Sequence, residues 1–313
     1  MPACGATRAR PASVSEGADP LHAPPCAPPD FAPRAPQLRL PADACDTHAH
    51  VLGPAARYPF AAARVYTPPD CVYEAYRHML DTVGISRAVI VQPSVYGADN
   101  RLLIDTLRRD PQRLRGVAVF DAGITDAELG VLDAAGVRGV RVNLVDRVDR
   151  AAALPLEALR VLAQRVAPLG WHLELLAHVD QHADQLLALQ DLAVPVVFGH
   201  FGYMTPGRGT DDPGFRALLD LVRSGRAWVK LTGPYRLTRT ALPYVDVDAM
   251  AAALRELWPD RLLWGSDWPH VMLRGAMPND AQLVDLLARW LPSDALQRQV
   301  LVDNPRHLYR FAA

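Results

Sequence analysis

Eight times along the chain a short run rich in Val, Ile and Leu precedes a longer amphipathic or turn-forming stretch. No other feature constrains the fold as tightly. The runs are "ACDTHAH" (44–50), "RAVIVQP" (87–93), "RGVAVF" (115–120), "VRGVRVNLV" (137–145), "WHLELLA" (171–177), "VPVVFGH" (194–200), "AWVKLTG" (227–233) and "LLWGSDW" (262–268). Runs this short and this apolar suit the strands of a parallel sheet covered on both faces. Between them lie patterns such as "CVYEAYRHMLDTVG", "ADNRLLIDTLRRDP" and "DPGFRALLDLVRSG", with apolar residues at helical spacing and Gly or Pro at the end. A last helical pattern, "SDALQRQVLVDNPRHLYRF", closes the chain. Eight strand–helix repeats in roughly 270 residues predict an α/β fold of the (β/α)8, or TIM, barrel type. A doubly wound open sheet would show fewer strands and a glycine-rich first turn, whereas "THAHVLGP" offers one glycine.

Residues 1–40 are of another character. Segments such as "HAPPCAPPDFAPRAPQ" predict a low-complexity, flexible or loosely docked arm in front of a barrel spanning 41–313. Charge excludes some partners. The 33 basic and 34 acidic residues leave a net charge of −1, which suits neither a nucleic-acid surface nor a polybasic membrane patch. Lys230 is the only lysine, so general arginine use carries no function by itself and each arginine needs a positional argument. The four cysteines, Cys4, Cys26, Cys45 and Cys71, form no CxxC pair and fit a reducing compartment. No apolar run reaches the ~20 residues of a membrane helix, and the opening residues lack a signal-peptide core; the expected location is cytoplasmic.

A barrel performs its chemistry at the C-terminal ends of its strands. Polar residues stand there in these runs: His48 and His50 in the first, Ser94 after the second, Arg141 and Asn143 in the fourth. His200 ends the sixth, Thr232 and Arg236 end or follow the seventh, and Asp267 lies in the eighth. The i, i+2 spacing of His48 and His50 turns both toward one face. A lone histidine at a strand end is more often structural, and an Asp in "GSDW" can simply cap a helix. Convergence decides for function, because four titratable groups buried together must be paired or used. The remaining histidines read as structural: His78 and His182 as solvated helix residues, His172 at the opposite end of its strand. Lys230 can face either side of its strand.

The segments "DTHAHVLGP", "YTPPD", "VQPSVYGADN", "VRVNLVDR", "FGHFGY", "VKLTGPYR", "LLWGSDWPHV" and "NPRHLYRF" resemble the amidohydrolase superfamily, more narrowly its 2-pyrone-4,6-dicarboxylate lactonase-like branch. The resemblance runs from about residue 40 to the end. It implies a hydrolase that opens a carboxylated lactone of aromatic-compound catabolism, with His48, His50, His200 and Asp267 as catalytic core. It also implies Arg141, Arg147 and Arg236 as clamps on substrate carboxylates, with Tyr66 and Ser94 as further contacts. Tyr203 stands where the branch carries an additional arginine, which leaves the particular dicarboxylate open.

Asp267 would accept the proton of an attacking water, and the three imidazoles would polarise the carbonyl. The fourth run has no lysine and the fifth no histidine at its top unless His178 serves, which argues against a binuclear metal centre. The expectation is no required cofactor. The alternative is one divalent metal ion, zinc for preference, on His48, His50 and Asp267. Two further activities stay open: a metal-dependent decarboxylase of the aminocarboxymuconate-semialdehyde type and a sugar-acid lactonase. The expected partner is a small-molecule carboxylated lactone, with a homo-oligomer left open.

Overall fold

The computed structural model describes residues 23–146 and 152–312. All eight runs form strands: β1 (Cys45–Ala49), β2 (Arg87–Val91), β3 (Leu114–Ala118), β4 (Val137–Asn143), β5 (His172–Leu176), β6 (Val196–Phe198), β7 (Ala227–Leu231) and β8 (Leu262–Trp264). Each pairs in parallel with the next, in the order β1 to β8. The strands are shorter than the apolar runs that announce them. His50, His200 and Asp267 therefore lie one, two and three residues beyond their strands, on the loops of the upper rim.

Amphipathic helices cover the outside, among them Tyr73–Val83, Arg101–Leu107, Asp126–Ala135, Leu156–Val166, Pro213–Arg223 and Asp248–Leu257. The helix Tyr73–Val83 buries Tyr76, Met79, Leu80 and Val83 on one face and stops at Gly84, whose φ of 85° supplies a left-handed cap. Between β5 and β6 the chain makes 3-10 turns, Val179–Gln181 and Ala183–Asp191. His182 lies there and is buried, which corrects the expectation of a solvated residue. His172 is buried at the lower end of β5 against Tyr309, at 5.3 Å between ring centroids.

The arm divides in two. Its first 22 residues lie outside the described residues. Residues 23–40 lie against the barrel: Cys26 N–H donates to Thr67 O, and the Gln37 and Leu38 amides donate to Asp285 at 2.8 and 2.9 Å. The Asn279 side chain donates to Asp30 and Ala32 O. Proline-rich chain offers few donors of its own, so side chains on the barrel fix it. Among the described residues no helix is long and apolar enough to cross a membrane.

A buried carboxylate closes the barrel between β8 and β1. Asp46 accepts from the backbone of His48 (3.0 Å) and Ser266 (2.9 Å), from Ser266 Oγ (2.5 Å) and from the Tyr76 hydroxyl (2.8 Å). Thr47 Oγ1 donates to Trp264 O, and Asp267 N–H donates to His48 O. Replacing Asp46 with alanine would leave several buried donors unpaired at the seam. We expect Asp46→Ala to cost about 3 kcal/mol or more of unfolding free energy in urea titrations, and a loss under about 1 kcal/mol would remove the seam argument.

Candidate active site

The rim above the barrel gathers most of the residues singled out by the sequence. One small pocket is lined by His50, Tyr66, Ser94, Arg141, Asn143, Asp146, Tyr203, His200, Arg236 and Asp267. His48 stands beneath it, with ring centroids 5.2 Å from His50 and 4.9 Å from His200. Arg147 lies outside the described residues. Two glycines allow this crowding. A Cβ on Gly233, which has φ +58°, would meet His200 Nδ1 at 2.8 Å and Asp267 Oδ2 at 3.0 Å. A Cβ on Gly265 would meet the His48 Cβ at 2.6 Å. His200 and Asp267 themselves adopt left-handed backbone, φ 51° and 65°, as strained residues at functional sites often do.

Asp267 Oδ2 is fully engaged. It accepts from Arg236 Nε and from the Tyr235 hydroxyl, each at 2.7 Å, and lies 2.7 Å from Arg236 Nη2. Its other oxygen, Oδ1, has no hydrogen-bond partner and stands 3.7 Å from His48 Nε2 and 4.0 Å from His200 Nε2. Burial pushes this carboxyl up. The Arg236 charge and the three imidazoles overwhelm that effect and hold it well below the usual carboxylate range. Asp267 is ionised at any working pH.

The histidines are held neutral. Burial, reinforced by Arg141, pushes His50 down to about 3, and burial brings His200 to about 4 against the pull of Asp267. Their tautomers follow from their neighbours. His50 Nδ1 lies 2.8 Å from Val91 O, and His200 Nδ1 lies 3.4 Å from Thr232 O. A carbonyl only accepts, so each Nδ1 carries the proton and each Nε2 is a lone pair. These two rings accept; they do not donate toward the pocket as the sequence reading has them.

Arg141 is buried and donates one Nη to Gln92 O at 2.9 Å, leaving its Nε without a partner. The buried Tyr66 hydroxyl bonds with Ser94. Tyr203 packs edge-on between His178 and His200, at 5.0 and 5.3 Å. Arg236 spends Nε and Nη2 on Asp267 and Val271 O. It is first of all the partner of Asp267.

Glu174, Tyr235 and Asp280 carry no signal in the sequence that marks them for the site, and Lys230 has none for its direction. Lys230 points into the barrel beneath His48, paired with Glu174 of β5 at 2.5 Å. Tyr235 joins Asp267 to His270, and His270 lies 3.3 Å from the buried Asp280. A period-2 strand pattern cannot tell which way "WVKL" turns its lysine when both faces are buried. The ligand atoms of His48, His200 and Asp267 all lie within 4.8 Å of one another, close enough to hold one metal ion. His200 thus takes the place that the sequence reading gives to His50.

The depressed imidazoles make the fold acid-sensitive. Unfolded, these rings titrate near 6.5; folded, His200 and His50 titrate near 4 and 3, so the unfolded chain binds protons first as the pH falls. Stability present above pH 6.5 should therefore drain away between pH 6.5 and 4. Urea midpoints measured across that window should fall, and the His50→Asn/His200→Asn variant should show a flatter profile. An equally steep profile in that variant would assign the acid sensitivity elsewhere.

Comparison with known proteins agrees with this geometry. A family model described as Amidohydrolase matches residues 45–311. The 4-sulfomuconolactone hydrolase of Rhizobium radiobacter is 39% identical over 300 residues, covering 93% of this chain and 98% of that protein. The 2-pyrone-4,6-dicarboxylate hydrolase of Comamonas testosteroni is 39% identical over 287 residues, covering 88% and 93%. Among solved structures, the Acinetobacter baumannii "probable 2-pyrone-4,6-dicarboxylic acid hydrolase" with citric acid bound superimposes with a TM-score of 0.74 at 29% identity, covering 86% of this chain and 100% of that one. A match across the whole barrel, together with relatives similar over nearly their full lengths, places the chain in the amidohydrolase family.

Proposed function

We propose that this protein hydrolyses a carboxylated, ring-unsaturated lactone of the kind met in aromatic-acid breakdown. One observation carries the reading: an ionised carboxylate with a free oxygen, Asp267 Oδ1, faces a small pocket whose wall holds Arg141 and Arg236. Two relatives at 39% identity are named for lactones bearing anionic groups, and a structural neighbour holds citrate, a polycarboxylate.

The chemistry follows from the chain's own groups. Arg141, anchored through one Nη, offers its remaining N–H groups to a substrate carboxylate in a desolvated setting where such bonds are strong. Tyr66 and Ser94 complete that wall. Asp267 holds a water and takes its proton as the water oxygen bonds to the lactone carbonyl carbon. The ring C–O bond then breaks, and the ring oxygen leaves with the proton that Asp267 had taken. Arg236 keeps Asp267 ionised before the attack and fixed in orientation throughout. His50 and His200, as acceptors, orient the water and exclude bulk solvent.

The same place fits a single divalent ion by proximity: His48 Nε2 and Asp267 Oδ1 are buried without partners, and His200 stands beside them. An ion on these three residues would supply Lewis acidity at the carbonyl. The reading itself requires none. A decarboxylase would want a histidine from the top of β5 as a ligand; β5 ends in Leu176, and His178 packs its ring on Tyr203. Arg141, with N–H groups to spare, favours a lactone that carries a carboxylate over an uncharged one.

Two measurements test this. Asp267→Asn should lower kcat for 2-pyrone-4,6-dicarboxylate or 4-sulfomuconolactone by ~10²–10⁴ while binding persists, followed by loss of ring absorbance. Wild-type turnover in that variant would dismiss Asp267 as base. Arg141→Met should raise KM about 10–100-fold for carboxylated lactones and leave an uncarboxylated lactone unchanged. Equal effects on both substrates would end the clamp argument.

A further inference from the structure

His48 differs from its two neighbours in what lies behind it. His50 and His200 have backbone carbonyls at Nδ1; His48 has the ammonium group of Lys230 at 3.3 Å. Lys230 is 0% exposed, and its Nζ also donates to Thr47 O at 2.7 Å and to Glu174 Oε2 at 2.5 Å. Those two bonds use two of the three ammonium hydrogens, and the third is left for His48 Nδ1. An ammonium group has no lone pair, so Nδ1 can only accept from it. The competing acceptor, Glu174 Oε1, lies 3.2 Å from Nδ1 but makes no hydrogen bond with it.

We infer that Lys230, balanced by Glu174, is a positioning residue that fixes His48 in the tautomer with its proton on Nε2. His48 is then the one imidazole of the three that donates into the site. Its Nε2–H faces Asp267 Oδ1 at 3.7 Å and the floor of the pocket, where a carbonyl oxygen would develop negative charge. Burial, followed by the Lys230 charge, keeps the ring from becoming a cation. The assignment also bears on metal. Histidine ligands ordinarily donate Nδ1–H to an acceptor so that Nε2 offers a lone pair, and a lysine in that position opposes coordination.

Only one lysine exists among 33 basic residues, and it is here. An ammonium is a compact donor with three rotatable hydrogens, which suits acceptors on β1 and β5 that converge on one point, whereas a guanidinium spreads its hydrogens over a planar fork. That placement is what a compact three-donor cation requires.

The role of the donated proton rests on the lactone reading; the tautomer does not, and it is measured without substrate. Protein labelled with ¹⁵N-histidine, with His48 assigned through the resonance lost in His48→Asn, should show a pyrrole-type Nε2 and a pyridine-type Nδ1. The neutral pair Lys230→Met/Glu174→Gln leaves an amide oxygen at position 174 to accept from Nδ1. It should flip that pattern and tighten zinc binding about tenfold or more by calorimetry with zinc chloride. A pyridine-type Nε2 in the wild-type protein overturns the inference, whatever becomes of the variant. So does a folded double variant that keeps the wild-type tautomer and zinc affinity.

Discussion

The carboxylate of Asp46 joins the first strand to the last, and the geometry of the site depends on that junction. Its oxygens accept from backbone or side chain at His48, Ser266 and Tyr76, so one buried group fixes the start of the rim, its end and a covering helix. His48 is two residues along from Asp46, and Asp267 follows Ser266 directly. Distances between them are set by the closure of the barrel more than by any direct bond. Burial raises Asp46 to about 6, against the lowering effect of its donors. The junction therefore costs stability as the pH rises through that value, the reverse of the imidazoles on the rim.

Charge in the interior is arranged in neutralised sets. Arg236 offsets Asp267, Lys230 offsets Glu174, and the histidines between them stay uncharged. Each ion alone would cost several kcal/mol to bury, so each depends on its partner. What an incoming ligand meets is the unmatched part of Arg141, one oxygen of Asp267 and, at the wall, Asp146. A chain with net charge −1 can in this way keep an arginine with N–H groups to spare inside a buried site.

Much of this was legible from residue order. The eight apolar runs became eight strands because β-branched residues buried on both faces leave few alternatives. His48, His50, His200, Asp267, Arg141, Arg236, Tyr66 and Ser94 came together because barrel topology sends every strand end to one rim. Direction and partnership were not legible. The turn of Lys230 inward, the capture of Arg236 by Asp267 and the left-handed backbone of His200 and Asp267 depend on neighbours distant in sequence. The part of the arm after residue 22 reads as flexible or loosely docked because its composition lacks apolar periodicity; its anchors Asn279 and Asp285 lie 249 and 248 residues further along the chain.

The solitary lysine leaves a mark on the outside as well. With the ε-amine sealed within the barrel at 0% exposure, the native surface presents no side-chain amine at all. Reagents that couple to amines, whether for tethering to a support, for cross-linking or for attaching dyes, find no lysine to modify until the barrel opens. Acylation of Lys230 would thus serve as a chemical clock for unfolding.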